Sequence, residues 1–399
     1  MRAGLQAKIV LAKKLPITLA PSEGVALSKI SFANASGRYI EYGGLMTGPF
    51  GANVPATRVI GGKTYVQIEE SLSGDSTNTE ALSSVYAIAQ NASWADNAGS
   101  SPVGIVNADK MCSNNSAATY HILHGGIDTS IHPHIYGIRA KAVEIHQVVL
   151  RIGEKCRGFD LSTKTTFHDS GWLVASPNAD GYGFIELNDG WYFIYLYVSE
   201  IATGHVMLYL AKSGSTIFDG VTGEGVLLWG SNRYVGYYPE SYTSAGATPV
   251  IRAADEAFLA AADVPSWLRT GYKKYLIPEY SSVQLAAAGT DKVLDCFVTT
   301  AETITVKLAS NGKIYIDGST TGNKFTSSVA HTWSAQQICS ISVRYNNGAN
   351  CVITTSGFTT GNAVQTGTAF AVANGDIYTG MTDAIAGHSN GLVSLWEPL

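Results

Sequence analysis

The amino-acid sequence predicts an all-β protein with two antiparallel β-sandwich domains of jelly-roll type, preceded by an extended N-terminal arm. Three observations carry this prediction. The chain of 399 residues is longer than a single hydrophobic core usually serves. Only 14% of its residues are charged, while 42 are glycine and aromatic and β-branched residues are frequent, which is typical of short strands joined by tight turns. Apolar residues alternate with a period of two along most of the chain, and helical spacing is rare.

Two interruptions of this alternation divide the chain into three parts. The first lies near residue 75, in the polar run SGDSTN at residues 73–78. The second lies within residues 244–255, where glycine, proline and alanine cluster. We therefore expect an N-terminal docking arm and lead-in segment over residues 1–75, a jelly-roll domain over residues 76–248 and a second sandwich over residues 249–399.

The N-terminal arm contains a short basic and apolar stretch, in which Lys8 is followed by Ile9, Val10 and Leu11. This apolar run is too short for a secretory signal or a membrane span, so we expect synthesis in the cytoplasm and no membrane insertion. An arm of this composition either docks by adding a strand to a neighbouring protein or is disordered, and the sequence leaves both alternatives open.

In the middle part, the strand WYFIYLY at residues 191–197 is bulky at odd and even positions alike. It follows the turn-forming run Asn188-Asp189-Gly190, which predicts a hairpin. One face of this strand should belong to the core of the sandwich. The other face is covered either by the rest of the chain or by a neighbouring subunit.

In the C-terminal part, the alternation over residues 304–308 resumes over residues 314–316. Asn311-Gly312 lies between them and predicts a tight hairpin with two residues at positive φ. Residues 253–262 are the exception to the β pattern, because their spacing suits one or two turns of helix between the domains.

Ten short motifs resemble, in order and spacing, a signature of bacteriophage structural proteins, from about residue 30 to the C-terminus. They are FANAS at 32–36, NVP at 53–55, QIEES at 67–71, NASW at 91–94, ADKM at 108–111, FDLST at 159–163, GWYFIYLY at 190–197, FDGVTGEGVLLWG at 218–230, YPESYT at 238–243 and VIRAAD at 250–255. The sequence departs from the signature at residues 71–73 and 230–232, which concerns loop geometry rather than architecture.

The resemblance implies a virion component rather than an enzyme. In proteins with this signature, a jelly roll that looks like a carbohydrate-binding domain leads into a laminin-G-like, concanavalin A-like sandwich. By this analogy we expect a tail fibre, a collar or neck appendage or a head decoration, located in the virion. Its partners would be other virion proteins (capsid, collar or tail), and it would form a homotrimer.

Composition excludes several other classes of protein. The formal net charge of -5 does not indicate a surface for nucleic acid. The five cysteines form an odd set without C-x-x-C spacing, which favours free thiols over a disulfide framework or a zinc ribbon, although a Cys339–Cys351 bridge across a hairpin remains an alternative. No cofactor motif is present, because none of the Gly-Gly pairs precedes a helical pattern.

Candidate chemical groups have simpler explanations. His132 and His134 would share one face of a strand and are the weak metal candidates, but rim positions in a sandwich explain them as well. The carboxylates Asp219 and Glu224 fall in a hairpin loop, where turn formation accounts for them without glycosidase chemistry. Residues 168–170, the string His-Asp-Ser, are consecutive and should point apart, which is unlike a catalytic triad. We therefore expect no enzymatic activity.

Binding of host surface glycans, or of another host receptor, is the alternative function, because jelly rolls and concanavalin-type sandwiches stack sugar rings on exposed aromatic side chains. The residues expected to be exposed for this purpose are Tyr136, Tyr237, Tyr238 and Tyr242. Packing between domains or subunits explains the same tyrosines. A secreted bacterial lectin or glycosidase accessory domain is a third class, disfavoured by the weak N-terminal signal and the unpaired cysteines.

Overall fold

The computed structural model describes part of the chain in detail. The described residues are 31–33, 38–42, 45–50, 57–60, 63–68, 72–74, 80–128, 133–199, 204–235, 242–244, 251–252, 256–259, 262, 272–277, 292–298, 303–333, 339–347, 350–368, 377–380 and 391–394. Within these ranges the chain forms 32 strands and no α-helix, and every pairing between named strands is antiparallel. The predicted fold class is confirmed.

The strands follow one another closely along the chain. The strands in the first half of the chain are β1 (Ser31–Ala33), β2 (Arg38–Tyr42), β3 (Leu45–Phe50), β4 (Thr57–Ile60), β5 (Lys63–Ile68), β6 (Leu72–Gly74), β7 (Ala87–Gln90), β8 (Ala92–Ser100), β9 (Val106–Ser113), β10 (Thr119–Tyr120), β11 (Ile122–Asp128), β12 (His134–Ala142), β13 (Gln147–Ile152), β14 (Lys155–Asp160), β15 (Thr165–Phe167), β16 (Gly181–Glu186) and β17 (Trp191–Val198). The remaining strands are β18 (Gly204–Ala211), β19 (Ile217–Phe218), β20 (Gly225–Val235), β21 (Ile251–Arg252), β22 (Glu256–Leu259), β23 (Tyr272–Ile277), β24 (Lys292–Val298), β25 (Thr303–Leu308), β26 (Ile314–Gly318), β27 (Gly322–Thr326), β28 (Cys339–Asn347), β29 (Asn350–Ser356), β30 (Val364–Thr368), β31 (Ile377–Gly380) and β32 (Gly391–Ser394).

The jelly roll consists of two sheets and a small ladder. One sheet has the order β16-β17-β12-β20-β6-β21, with β9 joined to β20 and β8 joined to β9. The other has the order β15-β14-β13-β18-β11-β7. The two-residue strands β10 and β19 pair separately, with Tyr120 opposite Ile217. Two short 3-10 turns, Leu82–Ser84 and Asn188–Gly190, complete the described elements of this domain.

Strand β17 shows how the core is built. Its even-numbered residues, Tyr192, Ile194, Leu196 and Val198, belong to the main core cluster, together with residues of the facing sheet such as Val148 and Leu208. Successive side chains of a strand point to opposite faces, so its odd-numbered residues lie on the outer face of their sheet. All eight residues of β17 are buried, so both faces of the strand are covered.

The second sandwich is not confined to the C-terminal part of the chain. Its two seven-stranded sheets have the orders β1-β22-β31-β24-β25-β26-β27 and β30-β29-β28-β23-β32-β5-β4. Strands β1, β4 and β5 come from residues 31–68, the segment expected to act as a docking arm and lead-in. The strands expected within residues 249–399 therefore share their sheets with a segment that precedes the jelly roll.

The jelly roll is inserted between these two groups of strands. The chain enters it through β6 and leaves it through β21, which pair with Ser73 opposite Ile251 and Leu72 opposite Arg252. Inserted domains are tolerated where the two ends lie close together, and here they are hydrogen-bonded neighbours. The chain thus passes between the sheets of the two sandwiches after β5 and again after β21.

The hairpin at Asn311-Gly312 is confirmed, but its turn differs from the expectation. Gly312 has a φ of 76°, whereas Asn311 does not have a positive φ. The Gly312 amide donates to the Ala309 carbonyl (2.8 Å), and the Ala309 amide donates to the Lys313 carbonyl (2.8 Å). This is a three-residue loop with a single left-handed glycine, which twists the strands in the same sense as a two-residue turn.

The expectation of a helical turn within residues 253–262 is wrong for residues 256–259, and residues 253–255 and 260–261 lie outside the described residues. Residues 256–259 form β22, which lies between β1 and β31 in one sheet of the second sandwich. Pairing on both sides provides backbone hydrogen bonds that a single helical turn could not supply, because short helices are marginal in water.

Candidate functional site

Two of the four tyrosines expected on the surface are buried, so their assignment as exposed glycan contacts is wrong. Tyr136 is fully buried, because it has the same parity along β12 as Ile138 and Ala140, which face the main core. This burial raises the pKa of Tyr136 well above its usual value. Tyr242 is fully buried against Trp229, with 4.7 Å between ring centroids, and its hydroxyl donates to Oε1 of Glu80 (3.1 Å).

Several other predicted site residues cannot be placed. Tyr237 and Tyr238, the metal candidate His132, and the docking residues Lys8, Ile9, Val10 and Leu11 lie outside the described residues. His134, the second metal candidate, is fully buried in β12. Among the described residues, no group of three or more His, Cys, Asp or Glu side chains is arranged to hold a metal ion.

The outer face of β17 is covered by the protein's own chain. Trp191, Phe193, Tyr195 and Tyr197 form a second buried cluster, to which the lead-in segment contributes Met46. Two contacts tie the covering segments down. The Met46 amide donates to Oδ1 of Asn188 (3.3 Å), and Trp191 donates through Nε1 to the Ser100 carbonyl (3.2 Å). Of the two alternatives for this face, intramolecular cover is the one observed, so the face is not available for subunit contact.

A buried arginine lies within this second cluster. The guanidinium of Arg139 is 4.2 Å from the ring centroid of Phe193 and 4.5 Å from that of Tyr242, and Nη1 donates to the Gly230 carbonyl. Gly230 lies in a bulge of β20, where the register with β12 shifts between Gly137 and Arg139. The bulge turns a carbonyl toward the cation, and the aromatic rings supply favourable quadrupoles in a site without water contact. This arrangement is structural, because Arg139 is fully buried.

The strongest candidate for a binding site is a pair of aromatic side chains on the side of the jelly roll that carries the sheet β15-β14-β13-β18-β11-β7. Trp172 is 56% exposed, which is high for tryptophan, the largest of the side chains. Its ring lies 5.0 Å from that of half-buried Tyr120, with 35° between the ring planes. Ile217, which is opposite Tyr120 in the short β10–β19 ladder, is also exposed. We call Trp172, Tyr120 and Ile217 the aromatic platform.

The loop that carries Trp172 is held by a buried carboxylate. Asp169 accepts hydrogen bonds from the Leu173 amide (2.6 Å), the Thr216 amide (2.7 Å) and the Thr216 hydroxyl (2.7 Å). The Thr216 hydroxyl in turn accepts from the Trp172 amide (3.1 Å). Carboxylate hydrogen bonds of this kind are stronger than neutral ones, so Asp169 joins the loop to the strand that carries Ile217.

Close packing also fixes the loop. A side chain at Gly171 would place its Cβ 2.8 Å from the Ile217 amide nitrogen and 2.9 Å from that of Thr216, so only glycine fits there. Leu173, the residue after Trp172, is buried in a cluster with Val149 and Tyr209 on the outer face of the sheet. The exposure of Trp172 is therefore a property of a well-anchored loop.

Exposed polar residues lie two positions from Ile217 and from Trp172 along the chain. Asp219 is exposed and lies two residues after Ile217, and its Oδ1 accepts from the Ala118 amide (2.6 Å). Ser170 is exposed and donates to the Gly214 carbonyl (3.0 Å), which leaves its oxygen able to accept. The platform thus combines an apolar ring surface with hydrogen-bonding side chains at its margin.

The side chains of the consecutive residues His168, Asp169 and Ser170 do not act together, and their adjacency in the sequence predicts this because neighbouring side chains point apart. His168 Nε2 lies 3.1 Å from the Val174 carbonyl oxygen, while Asp169 and Ser170 bond elsewhere. Likewise Glu224 pairs with Lys212 (2.5 Å) and not with Asp219. The described partners of these residues are backbone groups, the Thr216 hydroxyl and the ion-paired Lys212.

The cysteines within the described side chains are free thiols. Cys112, Cys156, Cys339 and Cys351 are all buried and unbridged, so the alternative of a Cys339–Cys351 bridge is not observed. Burial raises the pKa of Cys156 to about 11 and that of Cys339 to about 12. Thiols of this kind are poor nucleophiles at neutral pH.

The aromatic platform has only a weak signal in the amino-acid sequence. Trp172 is part of Ser-Gly-Trp, a turn-forming run without period-two neighbours, and a tryptophan in such a run is a signal of exposure that could have been used. Its pairing with Tyr120 could not have been found, because 52 residues separate them and only the sheets bring them together.

No family model matches the sequence, and no curated protein matches it. Among solved structures, the chain is similar to the LG1-3 region of the laminin α2 chain, with 11% sequence identity, a TM-score of 0.24 and coverage of 68% of this chain. It is also similar to domains LG4-5 of the mouse laminin α1 chain, with 10% identity, a TM-score of 0.20 and coverage of 72% of this chain and 90% of that chain.

The chain spans 63% of the length of the laminin α2 structure. Both of these structures consist of laminin LG domains. Among the described residues, no helix is long and apolar enough to cross a membrane.

Proposed function

We propose that this chain is a non-enzymatic structural component of a bacteriophage virion, serving as a tail fibre, a collar or neck appendage or a head decoration. The proposal rests on the motif series from residue 30 onward, and the observation that supports it best is the nested architecture. The jelly roll is attached to the second sandwich through two paired strands, β6 and β21.

A junction of two strands suits a protein that displays a domain. A single-chain linker rotates freely, whereas two hydrogen-bonded strands, of which β6 also pairs with β20, restrict the attached domain. Virion appendages need such restriction, because they must hold their outer domains at a defined position.

The N-terminal docking function shifts to residues 1–30 under this proposal. Strands β1, β4 and β5 of the lead-in segment are already paired within the second sandwich, where β5 is paired on both sides and β1 and β4 are the outermost strands of their sheets. Docking to capsid, collar or tail proteins would then depend on the preceding residues, including Lys8 and the apolar Ile9-Val10-Leu11 run.

We further propose a homotrimer whose contacts lie outside the outer face of β17. Light scattering on the full-length chain should give three times the mass of the 42.2 kDa protomer. A chain starting at residue 31 should give the same multiple, since it retains both sandwiches. Monomers in both samples would contradict the trimer and favour a decoration protein held by a capsid lattice.

The virion assignment is tested on particles. An antibody raised against the purified chain should label phage particles in immunogold electron microscopy, and peptides of the chain should co-sediment with purified particles in mass spectrometry. A chain that stays in the soluble fraction of the lysate and is missing from purified particles would overturn the assignment.

A further inference from the structure

We propose that the aromatic platform of Trp172, Tyr120 and Ile217 is a saccharide-binding site that takes a pyranose ring on the indole of Trp172. The proposal deepens the glycan-binding alternative for this protein, and it would stand if the chain belonged to no virion. Three features of the described residues carry it: the maintained exposure of the indole, the small size of the apolar surface, and the polar groups beside it.

The exposure of Trp172 is built into the loop. The buried Asp169 accepts hydrogen bonds from the amides of Leu173, in the Trp172 loop, and of Thr216, beside Ile217. Gly171 allows the backbone of the loop to approach Thr216 and Ile217 closely. An apolar side chain on a flexible loop can fold back onto the surface, but here the backbone bonds of Trp172 and Leu173 prevent this. Trp172 is not an isolated apolar residue, because it adjoins Tyr120, which lies opposite exposed Ile217, and contiguous exposed apolar surface marks contact sites more often than scattered single residues do.

The size of the apolar surface favours a sugar over a protein partner. The exposed large apolar side chains on the Trp172 loop and the short ladder are Trp172, Val174 and Ile217. A stable protein interface involves roughly 20–30 residues on each side, which is far more than this patch offers. A single pyranose ring, in contrast, is about as large as an indole and needs one flat apolar surface with a few polar groups to fix its orientation.

The chemistry of the platform matches the two kinds of surface on a pyranose. The axial C–H groups of one sugar face carry partial positive charge and suit the negative face of an indole. The rings of Trp172 and Tyr120 lie against each other, with 5.0 Å between their centroids, so a sugar would stack on the exposed part of the indole and not between the two aromatics. Equatorial hydroxyls need acceptors at the margin, and the exposed carboxylate of Asp219 and the Ser170 hydroxyl can provide them.

The test uses the full-length chain and an immobilised array of hexose, hexosamine and deoxyhexose oligosaccharides. Wild-type protein should bind a subset of these glycans, and Trp172→Ala should lower the affinity for that subset about tenfold or more, as expected for loss of a central aromatic contact. Trp172→Phe should retain part of the affinity. Ile105→Ala, which removes another exposed apolar side chain of the same domain, should bind like wild type.

A second measurement covers the case in which Trp172→Ala fails to fold. In wild-type protein, the exposed indole of Trp172 should be oxidised by N-bromosuccinimide before the buried Trp191 and Trp229, and the best-binding soluble oligosaccharide should protect it. Peptide mass spectrometry would locate the oxidation. Absence of binding to every glycan on the array, equal binding by a folded Trp172→Ala variant, or oxidation of Trp172 unaffected by a bound oligosaccharide would overturn the proposal.

Discussion

Two aspartates show how carboxylates hold the loops and turns of this protein in place. Asp169 is buried and makes three hydrogen bonds that connect the Trp172 loop to Thr216. Asp160 has a similar role in an exposed turn. Burial would raise its pKa, but hydrogen bonds from Gln147, Ser162 and Thr163 outweigh that effect and lower the pKa to about 2. The motif FDLST therefore encodes a turn whose geometry depends on the aspartate.

Replacing Asp169 with asparagine should destabilise the jelly roll and loosen the Trp172 loop. The amide nitrogen of asparagine cannot accept the bonds that the carboxylate accepts, so we expect a loss of about 1–3 kcal/mol in the free energy of unfolding, measured by urea titration. Asp189→Asn is the matched control, because the Asp189 side chain is 81% exposed, and it should change stability by less than about 0.5 kcal/mol. Equal effects of the two variants would show that the Asp169 bonds contribute little.

His331 should make the stability of the second sandwich depend on pH. The residue is fully buried beside Phe358, with 4.9 Å between ring centroids, and burial lowers the pKa of its imidazole, although the nearby Gly361 backbone opposes this effect. The unfolded chain then binds a proton more readily than the folded one. Stability should be fully present above an unfolded-state pKa of about 6.5 and should decrease as the pH falls below it.

The measurement is urea unfolding at pH 7.5 and pH 5.5, for wild type and for His331→Leu. The variant should lose the part of the pH dependence that the imidazole causes, whatever its overall stability. His168, which is exposed, provides the control, since His168→Leu should keep the wild-type pH dependence. A pH dependence unchanged in His331→Leu would contradict this assignment.

At the scale of single elements, turns and strands follow local rules more closely than sites do. The hairpin between β25 and β26 lies where Asn311-Gly312 predicts it, but the loop contains three residues because Asn311 bonds through Oδ1 to the Lys313 amide (3.0 Å). Strand β17 is apolar at every position because both of its faces are buried, one in the main core and one under the lead-in segment.

Two glycines with nearly the same φ allow a test of turn energetics. Gly312 (φ 76°) has a closely packed surrounding, in which a Cβ would lie 2.6 Å from the His331 carbonyl oxygen, whereas Gly322 (φ 73°) has nothing within 4 Å. Gly322→Ala should cost about 1 kcal/mol through backbone strain alone. Gly312→Ala should cost more, because the His331 backbone has to move as well.

Thermal or urea unfolding of the two variants measures this difference directly. The excess destabilisation of Gly312→Ala over Gly322→Ala reports the steric contact with His331, since the strain is common to both. Equal losses would mean that the β25–β26 turn adjusts without cost and that the contact is unimportant.

In the whole molecule, the second sandwich is assembled from strands that precede the jelly roll and strands that follow it in the chain. Strand β32 pairs with β5 through Leu392 opposite Gln67 and Val393 opposite Val66, and β1 pairs with β22. These pairings join residues more than 200 positions apart. The second sandwich can therefore be completed only after the jelly roll between its two parts has been synthesised.

Truncation at residue 76 should consequently disrupt the second sandwich more than the jelly roll. A chain starting at residue 76 lacks β1, β4 and β5, so one sheet of the second sandwich loses an edge strand and the other loses two strands. The jelly roll loses the three-residue strand β6 and the cover that Met46 gives to the outer face of β17, but it keeps its main core cluster. We expect a single unfolding transition from the jelly roll, with rapid proteolysis of residues 256–394. A chain starting at residue 31 should unfold like the full-length protein, and two intact transitions in the shorter chain would contradict the observed pairing.

Sequence reasoning was sufficient for the local features. Period-two alternation predicts strands because side chains alternate across a sheet, and glycine and asparagine at positive φ predict turns because few other residues adopt that backbone conformation. The all-β class and the hairpins at Asp189-Gly190 and Gly312 follow from these rules. The break points near residues 75 and 250 were also visible, because crossings between domains lack the alternation.

Long-range pairing decided the rest. Alternation shows that a strand has two faces but not which segment covers each, so only the structure shows that Met46 and Tyr242 cover the outer face of β17. For the same reason, Tyr242 is buried, Trp172 is exposed, and residues 31–68 belong to the second sandwich. These properties depend on free energy gained by contacts between distant segments, which no local window of the sequence contains.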